Sequence, residues 1–186
     1  MVSLTALWLP ILLSAVIVFV ASSILHMLLP YHRSDYRQLP DESRLLDALR
    51  GAGVTPGRTY HFPYCTHKEM KSPEVQEKFK RGPVGLMTVF PSGPPAMGKY
   101  LGLWFLFCVI IGIFVAVLAG TSFGPGAPHK YVFHTTAIVA LLGYGASQLQ
   151  DSIWKGQTWG VTFKHLFDAV IYALLTALTF GWLWPK

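Results

Sequence analysis

The sequence predicts an all-α membrane protein, a four-helix transmembrane bundle with a small α/β cytoplasmic cap between helices one and two. Three observations predict it. Apolar segments run over residues 4–29, 100–120, 131–149 and 163–184, and a hydrocarbon core about 30 Å thick needs ~20 such residues at 1.5 Å rise each. Hydrophobic residues make up 52% of the 186 and charged residues 13%, about half the ~25% charge of soluble proteins. Finally, the basic residues are partitioned by connection. Of 15 Lys and Arg, 11 lie from Arg33 to Lys99, two (Lys155 and Lys164) around the third connection, and Lys130 and Lys186 on the opposite side. Thirteen against two places the first and third connections in the cytoplasm and both termini outside.

Residues 1–29 form the first expected helix. No Lys or Arg precedes Arg33, and the run exceeds the ~7–15-residue core of a signal peptide, so a retained helix is expected.

Residues 30–98 form the cap. They hold aromatics and helix signals, which argues for order. Residues 41–50 carry Leu45, Leu46 and Leu49 on one face, between Pro40 and Gly51. Ser72, Pro73 and Glu74 supply N-cap, N1 and N2 of a second helix that stops at Gly82. Stretches 58–62 and 84–90 read as strands, the latter apolar enough to be buried. Gly93 to Lys99 fits a G-x4-G-K spacing. However, Pro94 and Pro95 remove two backbone donors and Tyr100 replaces the metal-binding hydroxyl, so a stiff linker is expected there.

Residues 99–186 carry the other three helices. Gly112, Ala116 and Gly120 make one small-residue face, and Ala169, Ala173, Ala177 and Gly181 make another. Close backbone approach drives much of helix association in lipid, so both faces are expected at helix contacts. Trp8, Trp104, Trp154, Trp159, Trp182 and Trp184 fall near span ends or in the third connection, as an interfacial belt would. Cys65 and Cys108 suggest no disulfide in a reducing compartment.

Topology brings His26, Gln148, Asp151, His165 and Asp168 toward one membrane face, with Tyr172 continuing the Asp168 side and Ser22 one turn from His26. This is the candidate polar pocket, because ionisable groups at membrane depth are costly and often mark sites. The plainer reading makes Asp168 a helix cap, near its helix start and four residues from Lys164. His61, Cys65 and His67 are weak metal candidates, three ligands without an evident fourth. A haem between His26 and His165 has no supporting pattern, and no cofactor is assigned.

The layout resembles that of many small multi-pass proteins of bacterial inner membranes, in architecture alone. It is similar to small multidrug exporters in helix number, yet the acid those place in the first span is missing here. The expected function is a non-enzymatic accessory or assembly component that packs through its small-residue faces. The alternative is a small transporter or ligand-binding membrane protein using the His/Asp cluster. Expected partners are the lipid bilayer and a second copy or another membrane protein, with no nucleic acid.

Overall fold

The computed structural model describes all residues, Met1–Lys186. Along the chain the elements are α1 (Trp8–Ser23), α2 (Glu42–Gly51), β1 (Arg58–Phe62), α3 (Pro73–Arg81), β2 (Gly85–Val89), α4 (Met97–Ser122), α5 (His129–Lys155) and α6 (Trp159–Trp182). The chain divides into two compact units.

The first unit comprises Met1–Asp35, Ala96–Ser152 and Gln157–Lys186. A 3-10 turn, Leu4–Leu7, leads into α1, with the Ser3 hydroxyl accepting from the Ala6 N–H at its start. The helix continues beyond Ser23 through a π turn, Ile24–Leu28. α1 packs against both α4 and α6. α5 approaches its neighbours through glycines: Gly143 sits against the Ile111 side chain and Gly145 against the Ala169 Cβ. Leu7, Ala15, Val18, Val115, Val132 and Phe180 are among the fully enclosed apolar residues between the helices.

Both expected small-residue faces lie inside this unit. A Cβ on Gly112 would stand 3.2 Å from the Ile11 carbonyl oxygen, and one on Gly120 only 2.6 Å from that of Val2. On α6, Ala169, Ala173 and Ala177 are buried, and Gly181 leaves room for the His129 ring. Ala116 is buried with them on α4.

One end of this unit gathers both termini with the α4–α5 connection. The Val2 N–H donates to the Gly120 carbonyl at 2.8 Å, and the Gly126 N–H to that of Pro185 at 2.8 Å. Trp184 Nε1 donates to the Gly124 carbonyl. The opposite end holds the turn after α1 and the start of α6.

Three helical stretches are long and apolar enough to cross a membrane: Leu4–Leu28, Met97–Ser122 and Trp159–Trp182. The expected four spans are thus met by three. α5 is equally long, but Lys130 and His134 near one end and Ser147, Gln148, Gln150 and Asp151 near the other dilute its apolar character.

The tryptophan belt also needs correction. Trp8, Trp154, Trp159 and Trp182 are exposed, but Trp184 is buried and Trp104 packs inward. Trp104 donates through Nε1 to the Ser22 hydroxyl at 2.7 Å and meets the Tyr172 ring edge-on.

The second unit comprises 36–95 with 153–156. Its local signals are those of the sequence. Asp41 accepts from the Arg44 N–H to cap α2, Ser72 accepts from the Val75 N–H to cap α3, and Gly82 ends α3 at φ 60°. β1 and β2 pair antiparallel, with Arg58 opposite Val89 and Phe62 opposite Gly85. The stretch 84–90, expected to be buried, is not: Phe90 is 71% and Val84 53% exposed. A two-stranded ribbon needs a second layer to bury a face, and none covers it within this unit.

Candidate metal centre

Two irregular turns build the site. The π turn after α1 closes with the Leu29 N–H donating to the Ile24 carbonyl at 3.2 Å, and it carries His26. Such one-turn widenings re-aim side chains and recur at functional positions. Pro30 then opens a 3-10 turn, Pro30–Ser34, where its missing N–H costs nothing. This turn presents Tyr31, His32 and, just beyond it, Asp35.

Lys164 of α6 pins the turn. Its ammonium donates to the Tyr31 carbonyl at 2.6 Å, the Ser34 hydroxyl at 2.8 Å and Asp35 Oδ1 at 2.6 Å. Burial pushes the Asp35 carboxyl up, but the hydrogen bonds from Lys164 and His32 outweigh this and hold it below the ordinary aspartate range. Asp35 is therefore a carboxylate, and its Oδ2 lies 2.5 Å from His32 Nδ1.

The other nitrogen of His32 points at Asp168. Nε2 stands 2.8 Å from Asp168 Oδ2, and His26 Nε2 stands 3.6 Å from the same oxygen. The Tyr31 hydroxyl donates to Asp168 Oδ1. Burial first, then the carboxylate it serves, push the Tyr31 phenol well above its ordinary range, so it remains a neutral donor. Asp168 itself is 2% exposed. His32 stacks on His26 at 4.1 Å and on His165 at 5.2 Å between ring centroids.

One ligand atom from each of His26, His32, His165 and Asp168 falls within 4.8 Å of every other. Bonds of about 2.0–2.1 Å to a tetrahedral ion place ligand atoms roughly 3.3 Å apart. The 2.8 and 3.6 Å separations around Asp168 Oδ2 bracket that edge. The outer groups fit as well. Metal-binding histidines commonly donate their second N–H to a carboxylate, which fixes the tautomer, and Asp35 does this for His32. Tyr31 occupies the spare oxygen of Asp168, leaving Oδ2 facing the imidazoles. The 2.8 Å Nε2–Oδ2 pair is an ordinary hydrogen bond when Nε2 carries the proton, and two ligand lone pairs facing one cation when it does not. Three imidazoles and one carboxylate suit zinc and other late first-row divalent ions.

A cavity of about 250 Å³ borders this cluster. Its lining combines His26, His165 and Asp168 of the cluster with the aromatic Trp104, Phe107, Tyr144 and Tyr172 and the polar Ser147 and Gln148. Of the expected pocket residues, His26, Gln148, His165, Asp168 and Tyr172 thus line one cavity, and Asp151 is not part of that lining. It lies at the last turn of α5, where its carbonyl accepts from the Gln157 N–H.

Two further expectations are corrected. Asp168 is not a first-turn cap: α6 begins at Trp159, so Asp168 lies beyond the orphan amides of the first turn. Lys164 instead reaches Asp35. His61, Cys65 and His67 do not converge as metal ligands; His61 sits in β1 with Nδ1 on the Pro63 carbonyl at 3.0 Å. The His32 ring stacks on both His26 and His165, so these two do not face each other across an open gap as the axial pair of a haem would.

The sequence reading missed Tyr31, His32, Asp35 and Trp104 as parts of the site. The spacing His26-x5-His32 across Pro30 was the available signal. It fits no helical period, so only the two irregular turns reveal it.

Compared with protein-family models, curated proteins and solved structures, the chain matches none.

Proposed function

We propose that this is a multi-pass membrane protein that binds one divalent transition-metal ion through His26, His32, His165 and Asp168. The observation that carries the reading is the convergence of four ligand atoms within 4.8 Å, two of them already oriented by Asp35 and Tyr31. The Asp168 carboxylate that the imidazoles surround is 2% exposed. A cation resolves that arrangement by accepting all four lone pairs.

In this reading α5 is the fourth span. It runs beside α4 and α6 at Gly143 and Gly145, and the termini meeting the α4–α5 connection fit an even number of crossings. The 13-to-2 partition of basic residues then orients the metal end toward the cytoplasm and both termini outside, in a bacterial inner membrane by likeness of layout. The small-residue faces that suggested an assembly role are filled by this chain's own segments, which favours the ligand-binding reading over it.

The test is elemental analysis of the full chain purified in detergent without chelators, followed by zinc titration of chelator-stripped protein. One equivalent in the wild type and far less in His32→Ala and Asp168→Ala supports the proposal. Stripped protein that takes up no zinc, cobalt or nickel overturns it.

A further inference from the structure

We propose that the cavity beside the metal cluster is a binding site for a small carboxylate, one that ligates the ion and accepts the hydroxyl of Tyr172. The proposal rests on the metal reading and adds the class of its second ligand. Tyr172 lines the cavity, is 4% exposed, and its hydroxyl is the one buried side-chain polar atom without a hydrogen-bond partner. A buried donor left unsatisfied costs ~1–3 kcal/mol, so such an atom marks a place where another group belongs.

Charge selects the class. A divalent ion with the Asp168 and Asp35 carboxylates and the Lys164 ammonium sums to 2 − 1 − 1 + 1 = +1 around the centre. One negative charge remains to be supplied from the cavity, whose lining includes His26, His165 and Asp168. A carboxylate meets both needs, with one oxygen on the ion and the other accepting from Tyr172. With four protein ligands already on the ion, the carboxylate enters as a fifth, an expansion that zinc-type sites undergo.

Shape and lining restrict it further. At about 250 Å³ the space falls just below the range that holds drug-sized molecules. Trp104, Phe107 and Tyr144 line it with aromatic carbon against which an apolar body can pack. An aromatic acid of benzoate size therefore fits better than acetate.

The probe is cobalt(II), whose visible absorption reports its coordination, loaded into the chelator-stripped full chain and titrated with sodium benzoate and with acetate. Benzoate should change the spectrum saturably, with an affinity at least tenfold above that of acetate. Tyr172→Phe should keep one cobalt and bind benzoate at least tenfold more weakly. Phe107→Ala, the second variant if Tyr172→Phe does not accumulate, should weaken benzoate and leave acetate unchanged. A cobalt-loaded protein whose spectrum ignores benzoate overturns this inference and leaves metal binding intact, as does an unaltered benzoate affinity in Tyr172→Phe. Failure to bind cobalt at all overturns both.

Discussion

Asp168→Asn separates a metal ligand from a buried structural acid. The side chain accepts from Tyr31 at Oδ1 and meets His32 Nε2 at 2.8 Å. Asn keeps a carbonyl for Tyr31 and can turn its amide N–H toward His32, whose Nε2 then accepts while Nδ1–H still donates to Asp35. Both contacts survive as neutral hydrogen bonds. The loss is the difference between charged and neutral bonds, ~1–2 kcal/mol in metal-free protein. That predicts a melting shift of a few degrees.

Metal binding should suffer more. The amide carries no charge and competes poorly for a late first-row ion. Loss of a mere outer-shell partner already costs about 10–100-fold in affinity. Removal of the one anionic ligand should therefore exceed ~100-fold, or ~2.7 kcal/mol. Competition against a chelator of known affinity measures this, beside thermal melts of stripped protein. A variant that binds zinc as tightly as wild type would refute Asp168 as a ligand. A variant that unfolds outright when stripped would show the carboxylate to be structural.

The remaining predictions address the outer shell, packing and topology. Because hydrogen bonds hold Asp35 below its ordinary range, its contribution to stability is full above that range and is lost as pH falls through the lower folded value. Metal-free melts between pH 5 and 3 should show this acid limb, and Asp35→Asn should flatten it. Ala177→Leu adds volume at a position with 0% exposure and should cost ~1–3 kcal/mol by overpacking; an unchanged melt would place that face against lipid. Reporter fusions after Pro125 and at Lys186 should both read outside the cytoplasm, and a cytoplasmic signal from either would overturn the orientation.

What the sequence discloses follows from the range of the interactions involved. Capping is local, so Asp41, Ser72 and Gly82 were readable at their own positions. The small-residue faces were readable because their period matches the helix that carries them. Tertiary pairing was less visible. The i, i+4 spacing suggested Lys164 with Asp168, but the lysine pairs across to Asp35. Nothing in the spacing shows that the 3-10 turn brings Asp35 there. Trp104 looked like an interfacial anchor, since the indole suits the headgroup level and the bundle interior equally; only its hydrogen bond to Ser22 decides between them.

The placement of the cluster follows from the chain's own constraints. A carboxylate within a spanning helix is costly unless partners meet it at the same depth. α6 carries Asp168 about ten residues, or roughly 14 Å, from its start. A straight continuation of α1 would carry residues after His26 away from that level. The π turn and the Pro30 turn instead bring Tyr31 and His32 back onto Asp168, while Lys164 and Asp35 fasten the returning segment. The fastening involves none of the four ligand atoms. Lys164→Met should therefore loosen the turn, and metal affinity should fall by about 10–100-fold, the range of an outer-shell change, with the ligand set intact. Zinc competition on Lys164→Met against Lys164→Arg decides it: the arginine should recover most of the loss by restoring the bond to Asp35. Equal loss in both variants would mean that Lys164 acts through packing of its stem and not through the carboxylate that orients His32.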